Sequence, residues 1–290
     1  MKNLKKFLFL SLITLAIVSC SDDDVPVANN VTLEFNNTFG DSTIILGDAT
    51  STDATVNTST AGQVHHFEEL KYVISNIRLV NAEGIEIPYN VNNLDTGATV
   101  IDQSKEETLQ YVLSNIPSTE YTQIKFGLGV KTELNTLDEV SFPNFYAATG
   151  ANDTEMHWEW GTGYRFTKIE GFYGDDNLEL SFHSGSTVEG TQGDESTYTQ
   201  GVDAYRNIIL DLPTNAMVGN SAPKIIIKAD FNAFLSGASN TVTLVSTTNI
   251  TNNATPSAHT ATEMMKFVDN IGGNGTTDLT GMFSITAVEN

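Results

Sequence analysis

Apolar residues in this chain recur at every second position, in short runs broken by turn formers, and that period admits few folds. Val31-Thr32-Leu33-Glu34-Phe35 and Leu178 to His183 follow it, and Leu70 to Val80, Tyr121 to Val130, Tyr205 to Leu212 and Pro223 to Phe231 read as further strands. Successive side chains of a strand point to opposite faces, so each run can bury one face and wet the other. Residues 107–113 and 241–248 also read as strands, Met282 to Ile285 as a last short one, and residues 141–153 as a loop. Asn81-Ala82-Glu83-Gly84 is a hairpin turn. Helical spacing is confined to Thr132 to Asn135 and to Ala261 to Val268, where Met264, Phe267 and Val268 share a face. The expectation is an all-β fold, an antiparallel β-sandwich with long loops and at most short helices. No repeat of fixed period is present.

The N-terminus reads as a separate piece. Lys2, Lys5 and Lys6 precede the apolar run Phe7 to Val18, the layout of an export signal. Ile17-Val18-Ser19-Cys20 resembles a bacterial lipobox, which implies cleavage after residue 19 and an outer-membrane lipid anchor through Cys20. Asp22-Asp23-Asp24 then resembles a short acidic signal for export to the cell surface. The division is a signal peptide over 1–19, a lipidated cysteine with an acidic tether over 20–30, and one domain over 31–290. Localisation as an outer-membrane lipoprotein, compatible with surface exposure, follows from these motifs.

Composition closes off several functions. Without residues 1–19 the chain carries 11 basic and 36 acidic residues, a formal charge of −25. A field of that sign repels a nucleic-acid backbone and attracts cations. Cys20 is the sole cysteine, so no intrachain disulfide and no cysteine-rich zinc or iron–sulfur site can form. No phosphate-cradling glycine motif or HExxH pair occurs, and no carboxylate spacing marks an acid and base, so the chain is not expected to be an enzyme.

Potential ligands crowd into one stretch instead. Met156-His157-Trp158-Glu159-Trp160 through Gly163-Tyr164-Arg165-Phe166 holds both tryptophans, and Phe182-His183-Ser184-Gly185 follows. Imidazole and thioether donors suit copper. His183 is opposite in phase to Phe182, so a core-facing Phe182 sends His183 to the other face. His259 follows a polar loop, and the strand rule sends His65 and His66 to opposite faces, with surface or turn placement expected for both. The metal candidates are His183, His259, His157, His66 and Met156, and Trp158 and Trp160 are candidate site-lining residues. Met156 and Trp160 also fit simple core packing, and Glu170 could orient a histidine.

With Phe67 leading to Tyr72-Val73-Ile74-Ser75-Asn76-Ile77-Arg78-Leu79, with Phe126-Gly127-Leu128-Gly129-Val130, and with terminal Met282-Phe283, these motifs resemble the MbnP-like family of copper-binding periplasmic or lipoprotein domains. The resemblance implies copper, Cu(I) or Cu(II), bound by a β-rich extracytoplasmic domain, with His183 matching the downstream histidine. It also implies that Trp158 or Trp160 can be oxidised to kynurenine by a dihaem peroxidase-like partner. The function expected is copper acquisition or handling. A surface adhesion or carbohydrate-binding module, with the Trp158 wall stacking on sugars, is the alternative, and an accessory role in an envelope assembly is a third.

Overall fold

The computed structural model describes residues 28–136, 140–151, 155–158, 163–191, 194–238, 240–245, 261–273 and 281–290. The leader, Cys20 and the acidic tether therefore lie outside the described residues. In chain order the principal strands are β1 (Val31–Phe39), β2 (Val64–Asn81), β3 (Glu86–Tyr89), β4 (Thr99–Asp102), β5 (Gln110–Leu113), β6 (Glu120–Leu128), β7 (Thr167–Tyr173), β8 (Leu178–Ser184), β9 (Arg206–Met217), β10 (Lys224–Asp230) and β11 (Phe283–Glu289). The helices are α1 (Leu94–Gly97), α2 (Thr132–Asn135), α3 (Pro143–Tyr146), α4 (Phe231–Leu235) and α5 (Ala261–Ile271).

The 18-residue strand β2 is the spine of the larger sheet. Along one edge it pairs with β7 and then β6, which continue to β8 and β9 respectively. Along the other edge it pairs in turn with Asn57–Thr58, β4 and β3. The smaller sheet runs β11–β10–β1, with β5 and Ser42–Thr43 pairing on β1. Every pair but one among these strands is antiparallel; β1 and β10 run parallel, Thr32 opposite Lys224 through Thr38 opposite Asp230. The sandwich is as expected, while the parallel pair joins segments nearly 200 residues apart and leaves no mark in local alternation.

Aromatic rings join the two sheets. Phe35 of β1 meets Tyr72 of β2 and Phe126 of β6 at 6.2 Å, and Phe283 of β11 meets Phe126 at 5.2 Å and Tyr72 at 6.0 Å, all edge to face. That geometry sets the positive ring edge on a negative face, adding about 1 kcal/mol per pair to the burial itself. The Tyr72 hydroxyl would be costly here without a partner; it donates to Asn37 Oδ1 at 2.7 Å, and Asn37 in turn donates to Gln103. Beyond this cluster, Phe234 of α4 and Phe267 of α5 cover Phe182 of β8 at 5.5 and 5.3 Å. The amphipathic stripe read in Ala261 to Val268 is thus a lid on the core, extended to Ile271.

Several local expectations shift. Residues 106–109 wind as a 3-10 turn before β5 starts at Gln110. Val242 and Leu244 are buried, but after the bridge at Thr241 no strand forms through 245. Part of the expected 141–153 loop is α3 and a single wide turn over Ala147–Ala151. His65 differs most. It lies inside β2, in phase with Phe67, so its ring enters the core, fully buried between Phe39 at 6.4 Å and Phe67 at 6.3 Å. Neither ring nitrogen has a hydrogen-bond partner among the described residues.

Burial pushes the His65 imidazole down to about 4 from an ordinary 6.5. The folded protein thus refuses a proton that the unfolded chain accepts between those values. Stability attributable to this group is complete above pH 6.5 and falls as pH drops to about 4. Chemical denaturation of wild type and His65→Leu at pH 7 and pH 4 is expected to show wild type losing on the order of 3 kcal/mol more than the variant.

Candidate metal centre

The side of the larger sheet that faces away from the sandwich carries a row of charge. Register places His183 of β8 opposite Lys168 of β7, Lys168 opposite Lys71 of β2, and Lys71 opposite Asp102 of β4. The next row holds Ser181, Glu170 and Glu69. Alternation dictates this: Ile169, Leu70 and Phe182 take the core-facing phase, leaving their neighbours the other. Lys71 and Lys168 are nonetheless only 7 % and 6 % exposed, so their charges need partners.

The rows supply them. Lys168 Nζ lies 2.8 Å from Glu69 and 3.1 Å from Glu155. Lys71 pairs closely with the same Glu69 and sits 3.9 Å from Asp102. His183 Nε2 donates to Glu170 Oε1 at 2.8 Å. That bond, opposed by partial burial and reinforced by the Lys168 charge, holds the Glu170 carboxyl down to about 2. Burial works against the Lys168 ammonium, yet Glu69 and Glu155 outweigh it and its pKa rises. Lys168 in turn lowers Glu155. Glu170 is therefore a fixed anion that aims the His183 ring, the arrangement by which a carboxylate sets the tautomer of a ligating imidazole. With Nε2 engaged, Nδ1 is the ring atom left to accept a cation.

The tryptophan motif abuts this row at its β8 end. Trp158 is 6 % exposed, and Gly185, two residues beyond His183, lies against its indole: a Cβ there would stand 2.9 Å from Trp158 Cζ2. The Arg165 guanidinium covers the indole at 5.0 Å from the ring centroid, held by the Glu155 carbonyl. His157, bridged to Tyr164, stacks on Tyr146 at 4.8 Å. Gly150 leaves room for that ring, since a Cβ would overlap it, and His157 Nε2 is buried with no hydrogen-bond partner among the described residues. Met156 is fully buried in the hydrophobic core.

The candidates are therefore only partly assembled. His66 stands opposite Phe172, four residues along β7 from Lys168, the partner of His183. At roughly 3.4 Å per residue that is about 14 Å along the strand, so His66 and His183 do not share one ion. Trp160, Glu159 and His259 lie outside the described residues. Among the described residues no three His, Cys, Asp or Glu side chains converge in a metal-holding group. Lys168, Glu69, Glu155 and Arg165 are the site residues that sequence reasoning passed over; the shared phase of Lys168 and Glu170 with His183's partner strand was the available signal.

A model of the MbnP family matches residues 28–271, all but the two ends of the chain. The chain belongs to the MbnP family. Among solved structures, MbnP from Methylosinus trichosporium covers 76 % of this chain and 81 % of its own, at 13 % identity and a TM-score of 0.49. No protein of curated function matches. In this MbnP-family member, β7 and β8 carry the oriented imidazole, and Trp158 packs against Gly185, two residues beyond it.

The fixed anion is open to a direct check. Because Glu170 is depressed in the fold, its contribution to stability is present above the ordinary carboxylate value near 4.5 and is lost as pH falls toward 2. Carboxyl-carbon NMR is expected to show Glu170 titrating near 2 in wild type and moving back toward 4.5 in His183→Ala. A titration unchanged by that substitution would break the assignment of His183 as its main partner.

Proposed function

We propose that this MbnP-family protein binds copper outside the cytoplasm and takes part in its acquisition or handling, anchored to the outer membrane through Cys20. Its central support is the 2.8 Å bond from His183 Nε2 to an ionised Glu170. An imidazole held in one orientation by a carboxylate is prepared to donate its other nitrogen, and imidazole suits copper in either oxidation state. Family membership supports a related role for the chain.

The residues fit the metal in part. His183 supplies one oriented donor and Glu170 its anionic support, with Trp158 packed against Gly185 two residues on. Two imidazoles are the sparsest shell that would serve Cu(I), and His157 and His259 are the remaining candidates for the second. Met156, fully buried, serves packing first. Copper, once bound, would supply redox chemistry close to the tryptophan motif, which is the setting in which a dihaem partner could oxidise Trp158 or Trp160. The carbohydrate alternative gains nothing from Trp158, whose ring is buried and capped by Arg165 and offers no stacking face.

Competition titration with Cu(I) and a chromophoric chelator is the test. Wild type is expected to take one ion per chain, His183→Ala to lose it with an unchanged circular dichroism spectrum, and Glu170→Gln to bind about 10- to 100-fold more weakly. Undiminished binding in His183→Ala would reject this site.

A further inference from the structure

Among the described residues, five that are not glycine hold a positive φ: Asn76, Asn90, Asn115, Asn177 and Glu155. Asparagine visits the left-handed region because its short polar side chain can bond locally, and four of the five positions use it. Glu155, with a φ of 48°, is the exception. A Cβ is crowded by the following carbonyl oxygen in that conformation, so a glutamate where glycine or asparagine would be easier points to a task for its side chain.

Glu155 stands where the tryptophan segment meets the charged row. It immediately precedes Met156-His157-Trp158, and its two ends hold different partners. The carbonyl accepts from Arg165 Nη1 at 2.6 Å, and Arg165 covers the Trp158 indole. The carboxylate accepts from Lys168 Nζ at 3.1 Å, and Lys168 lies directly opposite His183 in the register of β7 and β8. The Glu155 side chain is 55 % exposed and would be solvated unaided, so the pairing serves buried Lys168.

Through Lys168 that pairing reaches the imidazole. An ammonium has three hydrogens to donate, and this one directs them at Glu69, 2.8 Å away, and at Glu155. Glu170, two residues along the same face of β7, is the next carboxylate, and the Lys168 charge already acts on it. Its Oε1 is the atom to which His183 Nε2 donates. Without Glu155 the buried ammonium is one acceptor short and turns to Glu170, where it competes with the imidazole. Glu155 thus draws Lys168 away from the carboxylate that orients His183.

We propose that Glu155 is a positioning residue of the candidate copper site, a strained clamp that reserves Glu170 for His183 through its carboxylate and fixes Arg165 over Trp158 through its carbonyl. Its consequence for binding rests on the copper reading of His183; the orientation of the ring is a property of the metal-free protein.

Three substitutions in the full mature chain separate the two ends of the clamp. Glu155→Gly suits the left-handed backbone and removes the carboxylate, Glu155→Val opposes that backbone as well, and Glu155→Gln keeps both the reach and an acceptor oxygen. Long-range proton–nitrogen spectra of the metal-free protein are expected to show the His183 Nε2–H signal displaced in Glu155→Gly and Glu155→Val and restored in Glu155→Gln. The Trp158 indole N–H resonance is expected to move in Glu155→Val alone. Glu155→Gly is expected to melt at or above the wild-type temperature, which separates positioning from loss of fold, and to bind Cu(I) at least tenfold more weakly. A His183 signal unchanged in Glu155→Gly, or displaced only in step with a lowered melting temperature, would overturn the proposal. A displaced signal in a protein whose wild type takes up no copper would uphold the clamp and remove the copper reading alone.

Discussion

A strand of 18 residues with neighbours along both edges leaves only Glu68 exposed, and that constraint on β2 organises the molecule. Its middle, Leu70 to Ile77, is buried on both faces. One phase, through Phe67, Leu70 and Tyr72, enters the aromatic core shared with the smaller sheet. The other phase has to cover Glu69 and Lys71 with something other than water. Removing a lone ammonium from solvent costs several kcal/mol, and pairing recovers that cost only when the partners' own valences are met. The row from Asp102 through Lys71, Glu69 and Lys168 to Glu155 gives each buried ammonium two carboxylate partners. Glu170 and His183 sit at its end, and the orientation of that imidazole is inherited from the pairing behind it.

Such a row is a specificity device more than a stabilising one. Each member fixes the next, so the position of His183 depends on register across four strands. A one-residue slip of β8 against β7 would send His183 into the core and Phe182 outward. The 5.5 and 5.3 Å contacts of Phe182 with Phe234 and Phe267 oppose that slip. Packing on the inner face and ion pairing on the outer face thus enforce one alignment.

Much of this was legible in the chain itself. Alternation around Phe182 was enough to put His183 on the face opposite the core, and the same rule separated His65 from His66. The error lay in expecting a surface or turn placement for His65; His66, also a metal candidate, is half-buried on the other face. Strand β2 begins at Val64, so the phase that buries Phe67 also buries His65, a residue whose ordinary pKa argues for water. Just beyond, the pairing with β7 shifts register between Phe67 and Glu69, which local pattern does not announce. The parallel partnership of β1 with β10 was equally hidden, because pairing direction is settled by tertiary packing and not by either strand's own alternation. For Trp158 the sequence left packing and site lining open: its indole is buried, and it lies against Gly185 just past the end of the strand that carries His183.

In the proposed copper site Glu170 takes Nε2 of His183 and leaves Nδ1 for the metal. Long-range proton–nitrogen correlation spectra of the His183 ring, recorded with and without one equivalent of Cu(I), address it most directly. The expected result is a protonated Nε2 in both spectra and a large shift confined to Nδ1 when copper is added. A shift at Nε2, or no change at either nitrogen while copper binds elsewhere, would contradict it.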